Sequence, residues 1–98
     1  MDTRTDYDYL FERIGDLKRQ IEEIMPSVRE SIDNIINNNL ASTAAIEQIL
    51  DRLLDFASLG LGEAEFRRLN QYYVEINKNN ANFYQRQFEE LQREEDLF

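Results

Sequence analysis

Cysteine, histidine and tryptophan are missing from this chain of 98 residues, and it carries only three glycines and one proline. Each absence removes a class of protein. Without cysteine there is no disulfide scaffold and no thiol nucleophile, and without histidine there is neither the common general base nor the imidazole metal ligand. So little glycine and proline argues against a sandwich of short strands and for long helices. No run of about 18 apolar residues is present, so no segment reads as a transmembrane helix. The opening MDTRTDYDYL is acidic and polar where a signal peptide is basic and then apolar. The expectation is a cytoplasmic protein with no membrane association.

What is present is a heptad pattern. Tyr7, Leu10, Ile14, Leu17, Ile21, Ile24 and Val28 recur at alternating steps of three and four, with Tyr7, Ile14, Ile21 and Val28 at a and Leu10, Leu17 and Ile24 at d. Phe11 and Met25 at e widen the stripe beyond a two-stranded seam and favour a bundle. A parallel homodimer would set Arg13 at g against Lys18 at the partner's e, a like-charge pairing that disfavours it.

Thr5 or Asp6 can cap this first helix. The apolar phase runs through Pro26 without a slip, and Met25 would be a poor cap for a new helix, so the pattern predicts one helix kinked at Pro26 from about Asp6 to Asn38. Asn37, Asn38 and Asn39 end it, and Ser42 or Thr43 opens a second helix to Ser58, with Ile46, Ile49, Leu50, Leu53, Leu54 and Ala57 on its apolar face. Leu59, Gly60, Leu61 and Gly62 read as a tight turn, Gly60 in the left-handed closing position. A third helix opens at Glu63 and runs to about Glu94, with Phe66, Leu69, Tyr73 and Ile76 inward. The asparagines from Asn77 to Asn82 leave two alternatives: a continuous helix with Asn80 fixing register, or a break near Asn79. The stripe resumes at Phe83 or Tyr84, then Phe88 and Leu91. The expected fold is all-α: one domain over 1–98, an antiparallel bundle of three long helices with coiled-coil-like packing and short frayed acidic ends at 1–5 and 95–98.

The net charge is −9, and it is concentrated at the ends, with −2 on residues 1–8 and −4 on 89–98. Such a balance repels phosphate backbones, so no nucleic-acid partner is expected. Tyr7, Tyr73, Phe66, Phe83 and Phe88 fall on core phase, so the aromatics read as core and not as a stacking platform. Glu47, Asp51 and Asp55 stand four apart on the second helix, a straight ladder that reads as a solvated face and not as a cation site, which converges from a turned loop. The Gly60 and Gly62 pair lacks the preceding strand of a phosphate loop. No catalytic residues, metal ligands or cofactor are assigned, and the chain reads as no enzyme.

The last residues, Asp96, Leu97 and Phe98, resemble the end of the acidic-hydrophobic docking peptides that bind bacterial sliding clamps, with Glu94 standing where such a peptide carries glutamine. The resemblance covers three residues, and the tail is otherwise read as a fraying end. The expected helices, about 50, 24 and 48 Å long, do not match, so the second can cover only half of either neighbour. The seam from Leu10 to Ile21 on the first helix, or the stripe from Phe83 to Leu91 on the third, is then left partly bare in a monomer. Leu10, Ile14, Leu17, Ile21, Phe83, Phe88 and Leu91 are the candidate partner-binding residues, for self-association, a dimer being favoured, or for docking a helix of another protein. The expected role is a non-catalytic interaction module such as an adaptor, a chaperone-like protein or an assembly subunit. An acidic inhibitor or immunity-type protein that blocks a basic surface is the alternative.

Overall fold

A computed structural model of the chain describes the backbone of residues 6–95 and the side-chain packing of 8–93. Four helices follow one another: α1 (Asp6–Asn37), α2 (Thr43–Ala57), α3 (Glu63–Val74) and α4 (Lys78–Glu95). There is no strand among the described residues. The expected frayed ends at 1–5 and 96–98, the side chain of Tyr7 and the Asp96-Leu97-Phe98 tail lie outside the description, while Glu95 is still helical.

Helix α1 continues unbroken through Pro26. The proline lies on the exposed side of the helix, where the Glu22 carbonyl that loses its usual donor can turn to water. Asn39 ends α1 at φ 52°. Its amide donates to the Ile36 carbonyl at 3.2 Å and that of Leu40 to the Ile35 carbonyl at 2.9 Å. This is a Schellman closure with asparagine in the left-handed position. Ser42 then caps α2, accepting from the Ala45 amide at 3.2 Å, as short hydroxyl side chains do at helix starts. Gly60 repeats the closure at φ 76°, its amide donating to Ala57 and that of Leu61 to Phe56.

The expected third helix is two. Between α3 and α4 the amides of Ile76 and Asn77 both donate to the Tyr73 carbonyl, which ends α3. The Asn77 side chain accepts from the Asn80 amide at 3.1 Å and opens α4 as its N-cap. The break therefore falls at Glu75–Asn77, just ahead of Asn79, and a bundle of three becomes a bundle of four. Asparagine loses little by leaving a helix and gains a hydrogen bond as a cap, which decides between the two alternatives. Past the break Ala81, Tyr84 and Phe88 face inward, and Phe83 is turned out.

Helices α2, α3 and α4 pack against one another, and α1 packs on α2 and α3. The core joins Met25, Val28 and Ile32 of α1 to Ile46, Leu50 and Leu53 of α2, Phe66, Leu69 and Tyr73 of α3, and Phe88 of α4. Phe66 and Phe88 stack with centroids 4.3 Å apart and planes 6° from parallel. The buried face of α1 is Ile21, Met25, Val28, Ile32 and Ile35, all from the middle of the helix onward. No side chain from 8 to 20 is buried. The first half of α1 thus stands off the bundle as an arm of about 22 Å, at the usual helical rise. The outline shows it, the Cα radius of gyration being 15.9 Å. A compact chain of this length would have about 13 Å.

Candidate functional site: the projecting arm of α1

The heptad seam splits where α1 meets the bundle. Of its residues, Ile21 and Val28 at a turn inward beside Met25 at e, whereas Leu10, Leu17 and Ile24 at d stay outside. A bundle can bury a, d and e on one stripe, but among the described residues the neighbours of α1 cover only its a and e sides and leave d open. The ridge ends where the next d position, Ser31, is polar.

Near its free end the arm exposes three consecutive apolar side chains: Tyr9 at 58%, Leu10 at 50% and Phe11 at 62%. Leu17 is 46% exposed and Ile14 half-buried. Consecutive helix residues point about 100° apart, so Tyr9, Leu10 and Phe11 wrap more than half of the circumference. A folded domain rarely leaves such a run uncovered.

Local interactions support the arm as helix. Arg19 pairs with Asp16 one turn away, a spacing at which helical ion pairs form. The Arg13 guanidinium lies 6.0 Å from the centre of the Tyr9 ring, within reach of a cation–π contact. Gly15 works against the helix, leaving open space where a side chain would sit. An isolated helix of this length is marginal in water, so the arm is helical chiefly because it extends one already nucleated in the bundle.

The structure separates the expected partner-binding residues. Leu10, Ile14 and Leu17 share the arm. Ile21 and Phe88 are core residues, so neither belongs to an open stripe, and Leu91 is half-buried against the same core. The end of α4 is covered because the break after α3 lets it fold back onto α2 and α3. Phe83 is exposed on α4, edge-on to Tyr84 with centroids 5.7 Å apart. Since α4 does not pack on α1, Phe83 and the arm do not form one surface.

The acidic ladder of α2 is not simply a solvated face. Glu47 accepts from the Tyr73 hydroxyl and, at 2.9 Å, from the Asn80 side-chain amide, while Asp51 accepts from the Tyr84 hydroxyl at 2.7 Å. Two of the three carboxylates thus tie α2 to α3 and α4. Burial, followed by the hydrogen bond to the neighbouring carboxylate, raises the pKa of both phenols above the ordinary tyrosine value. Among the described residues no group of three or more carboxylates is placed to hold a metal ion, and no helix is long and apolar enough to cross a membrane.

The grooves lined by described residues lie on the bundle. The apolar groove between α1 and α2, lined by residues such as Val28, Ile35, Leu40 and Ile49, has a volume of about 390 Å³ and includes one hydroxyl, Ser31, and one charged side chain, Arg52. A polar groove between α3 and α4 includes Arg67, Asn70 and Gln85. Asn70 is spent on structure there: it donates to the Ala81 carbonyl at 2.9 Å, and its own carbonyl oxygen has no partner among the described residues. Compared with family models, curated proteins and solved structures, the chain matches none of them.

Proposed function

We propose that this protein is a non-catalytic protein–protein interaction module whose working element is the arm of α1, presented by the bundle as a rigid apolar ridge for another helix. One observation carries the reading: residues 8–20 contribute no buried side chain to the fold, yet hold Tyr9, Leu10, Phe11, Ile14 and Leu17. A segment that served only as a solvated extension would have no need of five large apolar side chains. An amphipathic helix offering anchors at i, i+4 and i+7 is a common recognition element. Adaptor, chaperone-like and assembly roles all use such a ridge.

The test is an apolar fluorescent dye together with light scattering, on the wild type and on Leu10→Glu/Leu17→Glu. The reading predicts dye binding or self-association in the wild type and the loss of both in the variant, at unchanged melting temperature. A wild type that stays monomeric and binds no dye overturns it.

A further inference from the structure

We infer that the partner of the arm is a second copy of this chain, paired antiparallel through the ridge of Leu10, Ile14 and Leu17. The inference rests on the arm being a docking helix and adds what docks there.

Charge is the first argument. The chain carries −9, yet residues 8–20 hold three acids (Asp8, Glu12, Asp16) and three bases (Arg13, Lys18, Arg19). With Asp6 the arm carries only −1 on a strongly acidic protein, so it is the place where two copies meet with least of the repulsion their bodies exert on each other. A partner selected for opposite charge would be matched by the acidic ends and not by this segment.

The flanks of the ridge set the direction. In a parallel pair g meets e of the mate, which brings Arg13 against Lys18. In an antiparallel pair e faces e and g faces g. With Ile14 of one copy across from Leu17 of the other, Phe11 lies along the aliphatic stem of Lys18 and Arg13 beside Gln20. No like charges meet on either flank, and Leu10 reaches the edge of Ile21 where the mate's arm enters its bundle. The two contacts between Ile14 and Leu17 are related by a twofold axis, so one self-complementary patch serves both chains and the assembly closes at two.

The area sets the strength. Leu10, Phe11, Leu17 and Ile24 are exposed and Ile14 is half-buried. Taking a buried aromatic at about 150–250 Å², the ridge offers on the order of 400 Å² of apolar surface per copy. The pair would bury on the order of 800 Å² of apolar surface besides its polar flanks, at the small end of specific complexes, whose total buried surface starts at roughly 1,200 Å². A contact this small is expected to be reversible, so the monomer–dimer balance should shift with concentration.

Sedimentation equilibrium of the full chain across sub-micromolar to high micromolar concentration is the first test. A monomer–dimer equilibrium that Leu17→Glu weakens at least tenfold, with helix content unchanged, is expected. Because the chain has no cysteine, Arg13→Cys and Gln20→Cys can then be oxidised alone and mixed. The antiparallel pair predicts a covalent dimer in the mixture and little in either alone. Equal cross-linking of Arg13→Cys with itself overturns the geometry, as does a dimer indifferent to Leu17→Glu. A wild type monomeric throughout overturns the inference; if Leu17→Glu still removes dye binding from that monomer, the arm stands as a docking helix for a different protein.

Discussion

Leu17 and Leu53 are both apolar positions on amphipathic helices, and truncating each to alanine separates the part of the pattern that builds the fold from the part that does not. Leu53 is fully buried, its Cδ2 lying 3.1 Å from where a side chain on Gly62 would begin. Leu53→Ala removes buried methyls and leaves a cavity, which costs about 3–5 kcal/mol, a large share of the roughly 5–15 kcal/mol that holds a small domain together. Leu17 is nearly half exposed, and no side chain at its level of the arm is buried. Leu17→Ala should therefore change stability by less than about 0.5 kcal/mol, alanine's better helix propensity offsetting part of the loss. Urea unfolding followed by circular dichroism at sub-micromolar concentration measures both, the dilution keeping self-association out of the comparison. A loss above about 1.5 kcal/mol for Leu17→Ala would mean the arm is packed by its own chain, and the reasoning would fail.

Other consequences follow from particular residues. Gly62→Ala forces a side chain into φ 84° and within 3.1 Å of Leu53. It should lower stability by about 1–2 kcal/mol in the same assay. The cap that Asn77 gives α4 is lost in Asn77→Ala, which should cost about 1 kcal/mol, with Asn77→Asp retaining most of the stability. A side chain at Gly15 meets no neighbouring atom, so Gly15→Ala should raise the helix signal of the arm by an amount worth about 0.5–1 kcal/mol. The neutral phenols of Tyr73 and Tyr84 are favoured in the folded state, so their contribution is complete below the ordinary tyrosine range near pH 10 and is lost as pH rises beyond it. Melting temperature against pH should fall at the alkaline end, and a double Tyr73→Phe/Tyr84→Phe variant should flatten that fall.

The elements that could be read from the sequence are those fixed by local chemistry. Ser42 capping α2, the asparagines closing α1 and Gly60 in its left-handed turn each depend on a few neighbours, and so does the passage of α1 through Pro26. The fourth helix could not be read in the same way, because Asn77 is acceptable both as a poor interior residue and as a good cap, and the choice depends on what α4 can pack against. The spacing leaves Phe83 and Tyr84 as alternatives for the inner face, and the packing of α4 buries Tyr84 with Phe88 and leaves Phe83 out. Periodicity alone also made Glu47 and Asp51 a wet face, since nothing in α2 announces the tyrosines that α3 and α4 bring to them. In the arm, spacing identified Leu10, Ile14 and Leu17 as one face; it could not tell that Ile21, next in the same seam, belongs to the core, because that depends on where α2 and α3 end.

Amide hydrogen exchange by mass spectrometry, resolved along the chain and repeated at two protein concentrations, bears most directly on an arm that stands free until it is paired. Amides of residues 8–20 should exchange well before those of α2, α3 and α4 in dilute solution, and slow markedly at high concentration while the bundle is unchanged. Protection of the arm equal to that of the bundle at every concentration would contradict the account.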